Sequence, residues 1–145
     1  MRSEAPESST LVLEEQAAHL LRRAHQRASA IFVSLIGERQ LTPAQYFAMV
    51  RLAEMGELSQ NRLGRLAAMD PATVQGVTRR LVERGMIERK PDKTDRRRML
   101  LRLTELGHQV IDELSEIAEK TNKGVLAPLS PGEQEMFVSL LRRLT

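Results

Sequence analysis

The sequence predicts a mainly α-helical protein with one small β-hairpin set among the helices. Three observations carry this. Apolar residues recur at helical spacing through most of the 145 residues. Aromatic residues are scarce, with three Phe, one Tyr and no Trp, so a core must be built from Leu, Ile, Val, Met and Ala, which favours helices. One stretch breaks the helical rhythm: "MIERK" and "MLLRLT" flank "PDKTDRRR" and predict two strands joined by a basic tip.

Taken in order, residues 1–9 are rich in Ser, Glu and Pro and predict a disordered tail. From Leu11 to Ile36 the apolar positions Leu13, Ala17, Leu20, Leu21, Ala24, Ala28, Ile31 and Leu35 predict one long helix ending near Gly37. In "LTPAQYFAMVRLAEMG" Thr42 caps the next helix, Pro43 takes its first position and Gly56 stops it. Ser59 caps a short helix with Leu63, Leu66 and Ala67 inward. Asp70 caps a further helix that starts at Pro71 and ends at Gly85. After the hairpin, Thr104 caps a long helix carrying Leu106, Val110, Leu114, Ile117 and Ala118. "SPGE" at 130–133 combines a capping box with an early proline and opens a last helix.

Charge is distributed unevenly. Between Arg62 and Arg102 there are twelve Lys/Arg and five Asp/Glu, a surplus of +7, whereas the remainder carries −4, together the net +3. A basic middle between acidic ends points to one module that meets a polyanion. The absence of cysteine excludes disulfides, cysteine-based zinc sites and thiol switches. No apolar run reaches the length of a membrane span and the start is polar, unlike a signal peptide, so a cytoplasmic protein with no membrane partner is expected.

Two short helices joined by a tight turn and followed by a hairpin make a winged helix-turn-helix. The sequence therefore divides into a DNA-binding module at 41–104 and helical segments at 10–40 and 105–145, read as a dimerisation region. In the second helix Val74, Val77 and Leu81 fall within about 60° of one another. The opposite face carries Ala72, Gln75, Gly76 and Arg79, flanked by Thr73 and Arg80. Arg pairs with guanine O6 and N7, Gln with adenine, and Ala or Thr with the thymine methyl, so this face suits a major groove. Gly76 lets backbone approach DNA. Thr78, and Ser59 with Gln60 at the start of the preceding helix, complete the candidates there. On the hairpin tip Arg96 and Arg97 are aimed at the minor groove or its phosphates, with Lys93 and Arg98 adding backbone attraction. Asp95 is expected to pair with a neighbouring arginine and fix the tip. The plainer alternatives are a wet amphipathic helix and a solvated charged turn.

The stretches "LTPAQYFAMVRL" and "LSQNRLGRLAAMDPATVQGVTRRLVERGMIERKPDKTDRRRMLLRLTELG" resemble the MarR family of bacterial transcriptional regulators, from about Leu41 to Gly107. The joint pattern D-x-A-T-V, R-L-x-x-R-G, D-R-R and L-T-x-x-G carries the resemblance. Two departures stand out: Gly64 where alanine is usual, which loosens the first helix of the motif, and Met86 where leucine is common. The resemblance implies an obligate homodimer facing a palindromic operator in double-stranded DNA. The residues agree, since Leu13, Leu20, Leu126, Leu129, Phe137, Leu140, Leu141 and Leu144 are more apolar surface than a small winged module covers. The plainer alternative is a monomeric core.

The resemblance further implies release from DNA by a small phenolic or aromatic acid bound between the end helices and the module. His19, Arg23 and Gln26 form one row on the first helix, within about 60°. Facing Pro43, Tyr46 and Phe47, they would suit a flat aromatic or heteroaromatic carboxylate. The alternative is a solvated polar row beside packed aromatics. His19, His25 and His108 are too scattered for a metal site, and no cofactor is expected.

The function expected is a ligand-released repressor of a catabolic or efflux gene, acting at the nucleoid. The competing reading is an architectural or constitutive DNA-binding protein without an effector. An enzyme is disfavoured, since no phosphate loop, G-x-S-x-G or clustered metal ligands occur. Repression and activation are not separated by the residues.

Overall fold

The computed structural model describes residues 12–145; the expected N-terminal tail lies outside the described residues. Its order is a 3-10 turn at Leu13–Glu15, α1 (Ala17–Ile36), a second 3-10 turn at Gly37–Arg39, α2 (Pro43–Met55), β1 (Leu58–Ser59), α3 (Gln60–Leu66), α4 (Pro71–Glu83), β2 (Ile87–Pro91), β3 (Met99–Leu103), α5 (Glu105–Leu126) and α6 (Pro131–Arg142).

The helix starts follow from side chains that accept the first free N–H groups. Thr42 and Gln45 form a reciprocal capping box at α2, and Ser130 with Glu133 does the same at α6. Ser59, Asp70 and Thr104 accept from Arg62, Thr73 and Gly107 at the starts of α3, α4 and α5. The first long helix is shorter than expected: extended backbone at Gln16 separates the 3-10 turn that holds Leu13 from α1.

A third strand was not expected. β1 pairs with β3 through Leu58↔Leu101 and Ser59↔Leu100, giving the antiparallel order β1-β3-β2. Across the hairpin Ile87 faces Leu103 and Glu88 faces Arg102. The latter is an ion pair that holds the Glu88 carboxyl below the ordinary glutamate range, chiefly by the hydrogen bond from Arg102. Alternation puts Leu58, Ile87, Leu101 and Leu103 into the core, where they meet Leu41, Met49, Leu52 and Leu63 from α2 and α3, Leu81 from α4 and Val110 and Leu114 from α5.

Two close approaches lock the module together. A Cβ on Gly64 would lie 3.2 Å from Val74 Cγ1 and 3.3 Å from the Met69 carbonyl. The glycine that departs from the family pattern therefore sits where α3 approaches the start of α4 closely. A Cβ on Gly107 would fall 2.1 Å from the Met86 carbonyl oxygen, so α5 starts directly on the backbone that follows α4.

α1 and α5 run side by side, and the Arg27 guanidinium donates to the Val125 and Gly124 carbonyls at 2.8 Å each. Beyond that contact, the start of α1 and α6 enclose an apolar groove of about 380 Å³ between Leu20, Leu21, Phe137, Leu140 and Leu144. Leu13, Leu20, Leu140 and Leu144 are exposed, and Leu129, Phe137 and Leu141 are half-buried. Leu126 departs from the expected interface set, being buried within the chain. The Gln134 amide donates to the Leu126 and Leu129 carbonyls at 3.1 Å each and folds α6 back over that end of α5.

Thr78 is a second correction. It is fully buried and its hydroxyl has no hydrogen-bond partner among the described residues, so it presents nothing to DNA. At about 40° from Val74 it falls on the apolar side of α4. A buried hydroxyl without a partner keeps its desolvation penalty, so Thr78→Val is expected to raise stability by about 1 kcal/mol. Urea unfolding should show a higher midpoint at unchanged slope; a lower midpoint would mean that the hydroxyl is satisfied in solution.

Candidate nucleic-acid interface and ligand cleft

The outward face of α4 starts with its cap. The Asp70 carboxylate accepts the Thr73 N–H at 2.8 Å and the Thr73 hydroxyl at 2.9 Å. These bonds hold the Asp70 carboxyl below its ordinary range, the Thr73 backbone contributing most. Thr73 thus spends its O–H on the cap. Ala72, Gln75, Arg79 and Arg80 are exposed, whereas Gly76 is half-buried with no atom within 4 Å of where its Cβ would stand. Nothing inside the chain requires glycine at 76.

The hairpin tip is built from backbone bonds. Asp92 N–H donates to the Arg98 carbonyl at 2.9 Å, and Arg98 N–H donates to the Asp95 carbonyl at 3.0 Å. The Asp92 carboxylate accepts both the N–H and the hydroxyl of Thr94, which lowers its pKa, the backbone bond foremost. Asp95 does fix the tip, but by accepting the Arg97 N–H at 3.0 Å, and it forms no ion pair among the described residues. A carboxylate two residues before a backbone N–H closes an Asx turn more readily than it reaches an adjacent guanidinium. The side chains of Lys93, Arg96, Arg97 and Arg98 are left exposed and outside any ion pair among the described residues.

Between tip and module lies a groove of about 380 Å³ that joins the expected Ser59, Gln60 and Arg98 to Asn61, Arg65 and Met99. Asn61 and Arg65 were missed by the sequence reading, although their spacing of four on one helix already puts them on one face. Ser59 is committed to the α3 cap, so Gln60, Asn61 and the two arginines are the donors at this groove.

A second feature lies on the far side of α2. α1, α2 and α5 enclose a cleft of about 320 Å³ with an apolar wall of Ala28, Phe32, Pro43, Tyr46, Phe47 and Val125. Phe32 and Tyr46 stack at 5.4 Å and Tyr46 and Phe47 at 5.8 Å, both tilted. Burial, and secondarily the charge of Glu54, raise the Tyr46 pKa above its ordinary value, so the phenol stays neutral. The polar groups at the cleft are His25, Ser29, Thr121 and Asn122, and Thr121 spends its O–H on the Ile117 carbonyl at 2.8 Å.

The expected row on α1 is displaced from this cleft. Pro43, Tyr46 and Phe47 line it, but His19, Arg23 and Gln26 do not. α2 begins beside the C-terminal part of α1, and Arg23 lies nine residues before Phe32, about 13 Å along the axis. Gln26 is near enough in height but is turned about 100° from His25. His25 and Ser29, four residues apart, take the place assigned to that row. The signal was present as the i, i+3, i+4, i+7 set His25, Ala28, Ser29 and Phe32.

The cleft continues into a neighbouring one of about 430 Å³ that shares His25, Ser29, Pro43 and Phe47. It reaches the α3–α4 turn and ends at Asp70 and Thr73, the cap of the outward-facing helix. Among the described residues no group of three His, Cys, Asp or Glu comes together that could hold a metal ion. No helix there is long and apolar enough to cross a membrane.

Comparison with known proteins agrees with the fold. The MarR family model matches residues 41–99. The chain is 35% identical over 130 residues to the HTH-type transcriptional repressor NicR of Pseudomonas putida, covering 90% of this chain and 82% of that protein. A probable transcriptional regulator from Pseudomonas aeruginosa is 46% identical with a TM-score of 0.87, covering 92% of this chain and 100% of that one. Bordetella bronchiseptica BpsR, solved to explain regulation of its DNA binding by 6-hydroxynicotinic acid, is 37% identical with a TM-score of 0.85, covering 90% and 94%. The likeness spans the end helices as well as the winged module, and the chain belongs to the MarR family of transcriptional regulators.

Proposed function

We propose that this regulator is a homodimeric repressor released from a palindromic operator by a single-ring aromatic or heteroaromatic carboxylate. α4 of each protomer enters a major groove and reads bases with Gln75, Arg79 and Arg80, while the arginines of the hairpin tip lie along the flanking minor groove. The groove holding Asn61, Arg65 and Arg98 takes a backbone phosphate. The second protomer covers the apolar faces of α1 and α6, where Leu144 is 71% exposed in the single chain. The protein acts by binding, not catalysis, at the bacterial nucleoid, on a gene for catabolism or export of such acids.

The observation that carries this reading is the continuity of the cleft from the α1–α2–α5 wall to the cap of α4. A volume of about 320 Å³ is at the small end of ligand sites, roughly 300–1,000 Å³, and suits one ring. Tyr46 and Phe47 supply a flat apolar wall, and His25, Ser29 and Asn122 supply donors for the carboxylate. Regulation of BpsR by 6-hydroxynicotinic acid gives the chemical class. A ligand that prefers one α1–α2 spacing shifts the population of recognition-helix separations and lowers DNA affinity by its differential binding, roughly 5–150-fold.

The test is an anisotropy titration of the gene's own upstream DNA and a scrambled duplex at fixed salt, with 6-hydroxynicotinic acid and simple benzoic acids. Selective binding weakened by one of these acids is the expected result. Equal binding to both duplexes, unmoved by every acid, supports the architectural reading instead.

A further inference from the structure

Two connections join the winged module to the end helices. One is α5, an unbroken helix of 22 residues. The other is the junction of α1 with α2, where Gly37 (φ 61°) and Gln40 (φ 47°) both take positive φ around a single 3-10 turn. A non-glycine residue keeps left-handed backbone only when its surroundings impose it.

The carbonyls of this turn are held by Arg84, the C-cap residue of α4. Its Nη2 donates to the Arg39 carbonyl at 2.5 Å and its Nη1 to the Gln40 carbonyl at 3.3 Å. Arg39 in turn donates from Nε to Glu113 Oε2 on α5 at 2.8 Å. A clasp therefore runs from α5 through the junction to the far end of the recognition helix. A planar guanidinium can satisfy two adjacent carbonyls at once, whereas an ammonium is a point donor. The ligand cleft opens just beyond this junction, since Pro43 lies three residues past Gln40. A change of angle between α1 and α2 on filling the cleft has to pass through the residues that Arg84 holds.

We infer that Arg84 is a positioning residue for operator recognition: it sets the tilt of α4 against the end helices, and with it the separation of the two recognition helices in a dimer. It touches no base, because its guanidinium is engaged inside the chain. The inference rests on the dimeric DNA-binding reading proposed above and deepens it. If the clasp transmits cleft occupancy, losing it loosens both the preference for one half-site spacing and the response to the acid.

The experiment uses duplexes selected by the wild-type protein from a randomised pool, remade with the half-sites one base pair closer, one farther, and as single half-sites. Wild type is expected to prefer its selected spacing by roughly tenfold or more, the scale of an ordinary coupling. Arg84→Ala should bring that preference to about threefold or less and reduce the response to 6-hydroxynicotinic acid in parallel, a loss within the same coupling range. Its single half-site affinity should stay unchanged. Arg84→Lys should fall between the two, and Glu113→Gln, which leaves the Arg84 bonds in place, should show a smaller loss in the same direction. Melting by circular dichroism identifies an unfolded variant, in which case the Arg84→Lys and Glu113→Gln profiles decide. A variant that keeps the wild-type spacing profile overturns the inference, as does one that loses half-site and full-site affinity equally. A wild-type protein that selects no sequence sinks the parent reading, and this one with it, without any variant being needed.

Discussion

Gly107→Ala is expected to destabilise the protein by about 3 kcal/mol, the upper end of what overpacking a tight contact costs. The added methyl would lie 2.1 Å from the Met86 carbonyl oxygen and 3.1 Å from both the Met86 carbonyl carbon and Leu103 Cδ2. Two of those three atoms are backbone and cannot turn aside. The same carbonyl accepts the Thr104 N–H at 3.1 Å, and the Thr104 hydroxyl donates to the Gly85 carbonyl at 2.6 Å. Moving α5 away therefore strains two bonds that tie its start to the end of α4. Thermal unfolding should fall by about 10 °C for a chain of this size. An unchanged melting temperature would mean that α5 does not rest on the backbone of Met86. Gly64→Ala has neighbours no closer than 3.2 Å and should cost much less.

Arg79→Ala is expected to cost about 1–3 kcal/mol of discrimination at one base position in each half-site, the worth of a good bidentate contact. Lys93→Ala, at the hairpin tip, should weaken every duplex alike and lower the slope of log affinity against log salt by about 0.9 per protomer. Both residues are exposed and outside any ion pair among the described residues, so neither change should alter the fold. A base-preference profile measured for both variants separates the two roles. If Arg79→Ala keeps affinity and preference unchanged, Arg79 does not read a base.

The winged module was legible because its signals are local. Asp70 before a proline, Ser59 before a polar turn and Thr104 before Glu105 each mark a helix start by side-chain chemistry within three residues. The two-residue strand at Leu58–Ser59 was not, because its pairing with Leu100 and Leu101 spans more than 40 positions and leaves no periodicity to read. Thr78 was misjudged because a hydroxyl looks outward by type although its phase turns it inward. The cleft illustrates a third limit. Its aromatic wall on α2 could be picked out by residue type, but which turn of α1 faces it depends on where the chain returns after Gly37. That junction length moved the facing set from His19, Arg23 and Gln26 to His25, Ser29 and Phe32. Leu126 shows the same dependence on return geometry, since the bend before α6 covers it.

The wall of the cleft has a spectroscopic consequence. The chain has no tryptophan, and its one tyrosine is Tyr46, set between Phe32 and Phe47 at the α1–α2–α5 cleft. Tyrosine emission of the unlabelled protein, excited above the phenylalanine band, therefore originates at the cleft. An aromatic acid seated against that ring lies within quenching distance of the one tyrosine, whereas a ligand held elsewhere on the chain leaves the ring's neighbours as they are. The protein carries a tyrosine reporter at the cleft, which makes the location of binding readable without a label.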